Sequence, residues 1–367
     1  MKAPLQSNEG WGPRGTAGVS FASALSFEGV DVRLGGREVL RQLDLTLTPG
    51  EIVCLLGESG SGKSTILRVA AGIQRIHSGV VRINGEVVSG GGVHLPPDRR
   101  GIGLMFQDFA LFPHMSLLQN VMFGLDRLDR TSAVAQARQA LRRVGLVDRE
   151  DDHPHMLSGG QQQRLALARS IAPRPGVLML DEPFSSLDAR MRESVRAETM
   201  AVLRETGATT LIVTHDPEEA MLLGDRVALL RKGRIVQIDT ATTVYEKPAD
   251  LSAARFFSPL SEMAGRVSAG RIDTPLGSVP VEGYAEGAAV TVGIRPVGVV
   301  DVALDGPGIP GRIVARRDAI GVALCEVRVD GLDAPVQIRR PVDARFYVGC
   351  DVFLTLHPEH VLVFANE

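Results

Sequence analysis

A short glycine-rich segment carries the clearest chemistry in this sequence. Residues 57–64 read GESGSGKS, with the apolar run IVCLL before them and the helix-like run KSTILRVAAG overlapping their end. Glycines let a loop curl until its backbone N–H groups converge on phosphate oxygens, and the start of the following helix adds partial positive charge. In this motif the lysine supplies a cation to the β- and γ-phosphates, and the adjoining serine binds Mg²⁺. The segment therefore predicts a nucleotide-binding loop.

A glycine-rich turn can also begin a helix without binding anything. Here the Lys-Ser pair has the spacing that phosphate binding needs, directly behind an apolar strand, and this favours the functional interpretation. The predicted nucleotide-binding residues of the loop and of the first helical turn are Gly57, Glu58, Ser59, Gly60, Ser61, Gly62, Lys63, Ser64 and Thr65.

Two adjacent carboxylates supply the acid that a magnesium nucleotide requires. The apolar segment VLML leads into Asp181 and Glu182. We expect Asp181 to hold Mg²⁺ directly or through water, together with Ser64. Because neighbouring residues of a strand face opposite ways, Glu182 points elsewhere and can act as a base or orient water for attack on the γ-phosphate.

The segment LSGGQQQR, residues 157–164, raises a separate question, because two glycines precede a run that otherwise favours a helix. Ser158 can cap a helix that begins beside Gly159 and Gly160. The remaining N–H groups and the helix dipole then form a second anion site. Since Lys63 already provides one phosphate site, we expect the second to bind a nucleotide held by another subunit.

Strand-like and helix-like segments alternate from residue 25 to about residue 239, which predicts an α/β unit with a mostly parallel sheet. From about residue 240 a short helical connection leads into short alternating strands, which predict a small all-β unit. The expected divisions are a disordered tail over 1–24, a nucleotide-binding domain over 25–245 and a β domain over 246–367.

Composition narrows the function further. The net charge of −3 over 367 residues does not favour a nucleic-acid partner. Three scattered cysteines suit a reduced, cytosolic compartment, and the sequence contains no apolar run long enough to span a membrane. The N-terminal segment lacks the apolar core of a signal peptide. Any work at a membrane is therefore expected to go through a partner.

Together these motifs give the chain a specific resemblance: it is similar to the nucleotide-binding subunits of ABC transporters. LSGGQ resembles their signature motif, and Gln161 is its last residue. Gln107 in MFQDFALFPHM matches the Q-loop, Asp188 in SSLD the D-loop, and His215 in IVTHD the switch histidine.

The resemblance implies a homodimer of two subunits that sandwich two ATP molecules. Each ATP then lies between the phosphate loop of one subunit and Ser158 and Gly160 of the other. Gln107 is expected to bind near the γ-phosphate and Mg²⁺, and His215 to hold the γ-phosphate and attacking water. Leu34 occupies the position where relatives carry an aromatic residue that stacks on adenine; a leucine can still contact the base, but weaker adenine selectivity than with a tyrosine is expected.

The C-terminal β unit resembles the OB-like TOBE-type domain of bacterial solute importers. This implies peripheral attachment to the cytoplasmic face of the inner membrane, two transmembrane permease subunits and a periplasmic solute-binding protein. The motif segments most resemble ferric-iron importer ATPases, with polyamine, sulfate/molybdate and thiamine importers as alternatives. A soluble ABC ATPase, or a ligand-sensing regulatory module, is the alternative of another class.

Apolar residues follow Gln107 and permit two interpretations. Phe109, Phe112 and Met115 form either an exposed groove for a helix of the membrane partner or part of the core.

Overall fold

The computed structural model describes residues 22–302 and 308–366. The chain divides into two compact units, and the division falls between Ala241 and Thr242. The disordered tail predicted over 1–24 lies outside the described residues as far as position 21. The domain limits predicted from the sequence, 25–245 and 246–367, stay a prediction.

The first unit is built from strands and helices that alternate over much of its length. Its strands are β1 (Leu25–Leu34), β2 (Arg37–Leu47), β3 (Ile52–Leu56), β4 (Ser78–Ile83), β5 (Glu86–Gly90), β6 (Val93–His94), β7 (Ile102–Met105), β8 (Val177–Asp181), β9 (Thr209–Thr214), β10 (Arg226–Arg231) and β11 (Arg234–Asp239). Its helices are α1 (Lys63–Ala70), α2 (Leu117–Met122), α3 (Arg130–Arg143), α4 (Gly159–Ile171), α5 (Ala189–Thr206) and α6 (Pro217–Leu223).

A six-stranded sheet in the order β11-β10-β3-β9-β8-β7 confirms the predicted α/β organisation. All neighbours are parallel except β10 and β11. The register pairs Leu56 with Thr214, and Asp181 with Val213. The carboxyl ends of β3, β8 and β9 therefore lie side by side, and the segments that leave them meet at one edge of the sheet.

A second sheet of the first unit, in the order β2-β1-β4-β5-β6, is antiparallel and was not predicted. Leu25 pairs with Leu47 and Phe27 with Leu45, and all four side chains are buried. Their alternation with polar residues gives the sheet one core-facing side. That side shares a single hydrophobic core with α1 and with β3, β8 and β9 of the parallel sheet.

Across its described residues, the second unit consists mainly of strands, which follow two short α-helices at its start. These are α7 (Ala241–Glu246), which begins at the boundary between the units, and α8 (Leu251–Phe257). The strands are β12 (Ser261–Ser268), β13 (Arg271–Thr274), β14 (Gly277–Pro280), β15 (Ala289–Ile294), β16 (Val299–Val302), β17 (Ile309–Ala319), β18 (Val322–Val329), β19 (Val336–Pro341), β20 (Asp351–Leu356) and β21 (Val361–Ala365).

Two antiparallel sheets share the core of this second unit. Their strand orders are β14-β13-β12-β15-β21 and β16-β20-β17-β18-β19. Buried side chains from both sheets, such as Val292 and Val327, belong to one hydrophobic cluster. The predicted fold class, an α/β P-loop domain followed by a small OB-like β domain, is thereby confirmed. Among the described residues, no helix combines the length and apolar character that crossing a membrane requires.

Candidate active site

The glycine-rich loop connects the end of β3 to the start of α1, as predicted. Gly60 and Gly62 have φ values of 78° and 113°, which residues other than glycine rarely adopt. A Cβ atom at Gly57 would lie 2.4 Å from the carbonyl oxygen of Leu230. The shape of this loop therefore depends on glycine at all three positions. Gly60 and Gly62 are needed for their positive φ values, and Gly57 is needed because a side chain would not fit there.

Lys63 begins α1 and lies inside the loop that precedes it. Its ammonium donates to the carbonyl oxygens of Gly57 at 2.7 Å and Glu58 at 2.9 Å. Burial lowers the pKa of Lys63, and the nearby carboxylates of Glu182 and Asp181 oppose that shift. The loop thus holds a cation at the end of the parallel sheet, where a phosphate chain can reach it.

Ser64 and Asp181 come together from opposite halves of the first unit. The hydroxyl of Ser64, in the first turn of α1, lies 3.5 Å from Oδ1 of Asp181 at the end of β8. Burial raises the pKa of Asp181, while the Ser64 contact lowers it. Hydroxyl and carboxylate oxygens are hard ligands of the kind that Mg²⁺ prefers, and a cation here would offset the cost of burying the carboxylate.

Gln107 lies in the loop after β7 and lines the same cleft as Ser64 and Asp181. The structure therefore gathers the three predicted metal-binding residues around one space. Sequence reasoning did not identify several other residues of this cleft. They are Arg68, Phe106, Asp108, Ser185 and Ser186.

A local signal exists for two of these positions. Arg68 follows Ser64 by one helical turn and so shares its face of α1. Ser185 follows Glu182 by three residues, and its hydroxyl donates to the Glu182 carbonyl at 2.9 Å in a local turn.

Glu182 and His215 meet at the ends of neighbouring strands. Nδ1 of His215 lies 3.1 Å from Oε2 of Glu182. Glu182 has a φ of 44°, and its N–H donates to the carbonyl oxygen of Val213 at 3.0 Å. Its carboxylate is largely shielded, with 19% of the side chain exposed, whereas the imidazole is 60% exposed. An exposed imidazole beside a shielded carboxylate can serve a phosphate and a water molecule together.

The signature segment caps α4 as expected. The Ser158 hydroxyl accepts from the Gln161 N–H at 3.4 Å, and the Gln161 side chain accepts from the Ser158 N–H at 3.0 Å. This reciprocal pair is a capping box. Gly160 is buried against α5, where an added Cβ would lie 3.2 Å from Val195. Gly159 is exposed at the helix start.

The signature residues are not among the described residues that line the cleft of Ser64, Gln107 and Asp181. Within the described part of the chain, the lining of that cleft contains neither Ser158 nor Gly160. Asp188 is exposed and accepts a hydrogen bond from the Met191 N–H at 3.0 Å, at the start of α5.

The apolar residues after Gln107 divide between the two interpretations. Phe109 is buried, which favours the core interpretation for this residue, whereas Phe112 and Met115 are half-buried. Arg169 of α4 contacts the same segment: its guanidinium donates to the carbonyl oxygen of Phe109 at 2.7 Å and lies over the Phe112 ring. Phe123, missed by the sequence analysis, is 59% exposed.

Leu34, the residue in place of the adenine-stacking aromatic, ends β1 and is 38% exposed. An apolar side chain at this exposure is available to contact a base.

The glycine-rich loop, the paired carboxylates and the capped helix define a P-loop nucleotide-binding protein. A family model described as ABC transporter matches residues 40–185. The chain is 44% identical to the Fe(3+) ions import ATP-binding protein FbpC of Streptomyces coelicolor over 80% of this chain and 84% of that relative. It belongs to the ABC transporter family and is one of that family's ATPases.

Other relatives extend the same comparison. The chain is 39% identical to the spermidine/putrescine import ATP-binding protein PotA of Marinobacter nauticus, over 80% of this chain and 81% of that protein. Among solved structures, it matches the ATP-binding cassette MJ0796, described as a dimer in a post-hydrolysis state bound to ADP and Pi. That match has a TM-score of 0.52 at 28% identity and covers 59% of this chain and 98% of the other.

Proposed function

We propose that this chain is the ATP-hydrolysing subunit of an ABC importer for ferric iron. The observation that carries the catalytic part is the contact between Glu182 and His215, 3.1 Å apart beside the cleft that Ser64 and Asp181 line. The observation that carries the solute is the 44% identity to an Fe(3+) ions import ATP-binding protein.

Phosphate binding rests on the glycine-rich loop. The N–H groups of residues 57–65 and the ammonium of Lys63 face the β- and γ-phosphates of ATP. Lys63 exchanges its bonds to the Gly57 and Glu58 carbonyls for phosphate oxygens. This exchange replaces two neutral acceptors by charged ones, which form stronger hydrogen bonds with an ammonium.

The donor set at the cleft fits Mg²⁺, with Ser64, Asp181 and Gln107 as its protein ligands, directly or through water. The metal supplies neutralisation of charge on the phosphate oxygens. The raised pKa of Asp181 fits this assignment, because a buried carboxylate without a cation beside it is costly.

Hydrolysis requires a water molecule aligned with the γ-phosphorus. In the proposed mechanism Glu182 accepts the proton of that water as its oxygen attacks, and ADP leaves with the electron pair of the broken P–O bond. His215 orients the carboxylate through Nδ1 and presents the rest of its exposed imidazole to the γ-phosphate. Preorganised groups of this kind lower the barrier without reorganising during the reaction.

Dimerisation completes the proposed site. Ser158, Gly159, Gly160 and Gln161 bind the nucleotide of a second copy through the capped start of α4, and Asp188 approaches the same interface. One observation supports this: the matching ATP-binding cassette is described as a dimer.

The partners follow from the relatives, whose names describe them as import ATP-binding proteins. We propose two transmembrane permease subunits, a periplasmic solute-binding protein that acts through them, and peripheral attachment at the cytoplasmic face of the inner membrane. The second unit serves as the TOBE-type domain. The 39% identity to a polyamine import ATP-binding protein makes polyamines the second candidate solute.

The catalytic assignment is tested with Glu182→Gln. We expect ATP binding to persist and turnover to fall at least about a hundredfold, because the amide cannot accept the proton of water. ATP should then trap a dimer, seen by size-exclusion chromatography. Glu86→Gln, at the exposed start of β5, is the matched control. Wild-type turnover in Glu182→Gln would disprove the assignment, whereas Lys63→Ala should lose ATP binding itself.

The solute is tested by uptake of radiolabelled ferric iron in cells that lack this chain and every redundant iron importer. Wild type should restore uptake and Glu182→Gln should not. If the wild-type chain leaves iron uptake unchanged, the ferric assignment is wrong, and labelled spermidine and then sulfate are tested next. A soluble ATPase of another class would purify without membrane subunits, and a regulatory module would show ligand-dependent ATPase inhibition.

A further inference from the structure

A buried carboxylate holds the residues on both sides of His215. The hydroxyl of Thr214 donates to Oε2 of Glu219 at 2.5 Å. The same hydroxyl accepts from the N–H of Asp216 at 3.1 Å. One oxygen atom, Oγ1 of Thr214, therefore links the end of β9, the residue after His215 and the carboxylate of α6.

The carboxylate is itself fixed from a third element. Glu219 is 5% exposed, and its Oε1 lies 3.4 Å from Nη2 of Arg196 on α5. Asp216 caps α6 through the N–H of Glu219 at 3.3 Å, which closes the turn around His215. Burial raises the pKa of Glu219, while the Thr214 hydroxyl and Arg196 oppose the shift. Burying the Glu219 carboxylate therefore costs free energy. Neither Glu219 nor Thr214 is among the described residues that line the cleft.

The need for such a device follows from the exposure of His215. The parallel ladder between β3 and β9 ends at the pair Leu56 and Thr214, one residue before the histidine. With 60% of its side chain exposed, the imidazole has little packing to hold it, yet its Nδ1 lies 3.1 Å from Glu182. Its direction must come from its backbone, and the hydroxyl of Thr214 fixes that backbone on both sides.

We propose that Thr214 and Glu219 are a positioning pair for His215: the buried hydrogen bond between them aims the imidazole at Glu182 and the γ-phosphate. This inference rests on the proposed function, since it presumes that His215 acts in hydrolysis. Neither residue touches the nucleotide in this scheme, so the pair affects turnover and leaves ATP affinity unchanged.

The experiment compares two identical substitutions on one strand. Thr214→Val removes the positioning hydroxyl. Thr210→Val, four residues earlier on β9, removes a hydroxyl that is equally buried and donates only to the Ala208 carbonyl at 3.0 Å. Both variants should show comparable decreases in Tm. We expect kcat for ATP to fall about tenfold in Thr214→Val alone, with KM within about twofold of wild type. Thr214→Ser, which restores the hydroxyl, should recover kcat.

Equal kcat values in Thr214→Val and Thr210→Val would overturn the inference, as would a loss that Thr214→Ser does not restore. If Thr214→Val does not fold, Glu219→Met keeps the volume and removes the acceptor; a wild-type kcat there would overturn it equally. His215→Ala separates the two proposals. Wild-type turnover in His215→Ala would refute the role of His215, whereas a lost turnover beside a normal Thr214→Val would refute only the positioning pair.

Discussion

Arg100 holds the end of the helix that carries the phosphate loop, and replacing it should destabilise the first unit strongly. The side chain is 3% exposed. Its Nη1 donates to the carbonyl oxygens of Val69 and Ala70, both at 2.9 Å, where α1 ends. Its Nε donates to the Leu95 carbonyl at 2.8 Å and its Nη2 to the Val88 carbonyl at 2.9 Å. Burial lowers the pKa of Arg100 to about 10, so it stays charged at neutral pH.

The expected loss in the free energy of unfolding follows from the carbonyl groups that Arg100→Met would leave without a hydrogen-bond donor. The Val69 and Val88 carbonyls also accept backbone N–H groups, from Gly72 and Leu95. Among the described residues, the carbonyls of Ala70 and Leu95 thus depend most on Arg100. A buried acceptor without a partner costs about 1–3 kcal/mol; because the Ala70 carbonyl is buried and the Leu95 carbonyl only part-buried, the loss is about 3 kcal/mol. For a unit of this size that corresponds to a decrease in Tm of about 10 °C.

Calorimetry of Arg100→Met beside Arg99→Met measures this effect directly, because Arg99 is the adjacent arginine and is exposed. Arg99→Met should change Tm by no more than about 1 °C. The second unit contains neither residue, so its own transition should stay in place in both variants. A Tm for Arg100→Met equal to that of Arg99→Met would refute the assignment of Arg100 as the cap of α1.

Two further outcomes are expected. Asp225 accepts from Arg204 at 2.6 Å and from the Ile52 N–H at 2.8 Å, and the Arg204 hydrogen bond holds its pKa below 3.8. Its stabilisation is therefore complete above that value and is lost as pH falls through the depressed pKa. Urea titrations should show Asp225→Asn about 1 kcal/mol less stable than wild type at pH 7, with the difference narrowing as pH is lowered below 3.8; a constant difference would contradict this. Leu34→Tyr should lower the Kd for ATP about fivefold in isothermal titration calorimetry through stacking on adenine, and an unchanged Kd would count against the position.

Local patterns predicted the parts of the first unit that depend on neighbours in sequence. The run IVCLL before GESGSGKS specifies a buried strand, a tight loop and a helix start. Ser158 and Gln161 are three residues apart, which is the spacing of a capping box. The alternation of apolar and polar residues in β1 and β2 was also present in the sequence. It could not be assigned to an antiparallel sheet without the pairing of Leu25 with Leu47, which residue spacing does not reveal.

Long-range contacts were out of reach for the same reason. Arg100 lies 30 residues from the Ala70 carbonyl to which it donates. Arg99, its neighbour, is also an arginine, so the sequence alone does not show which of the two is buried. Phe109 follows Gln107 in a run that suits a surface groove, yet Arg169 of α4 binds its carbonyl and the ring is buried. Both segments contain a backbone carbonyl bonded to a distant guanidinium, a contact that neither polarity nor periodicity in the sequence reveals.

The backbone of Glu182 has a consequence for the history of such a protein. A φ of 44° at a residue with a side chain costs about 1–2 kcal/mol relative to glycine. Glutamate therefore stands where folding alone would prefer glycine, and stability and activity make opposite demands on this position. Under the role proposed for Glu182, a descendant of this gene released from ATP hydrolysis could carry glycine there and gain stability as it lost activity. Its inactive copies would be the sturdier proteins.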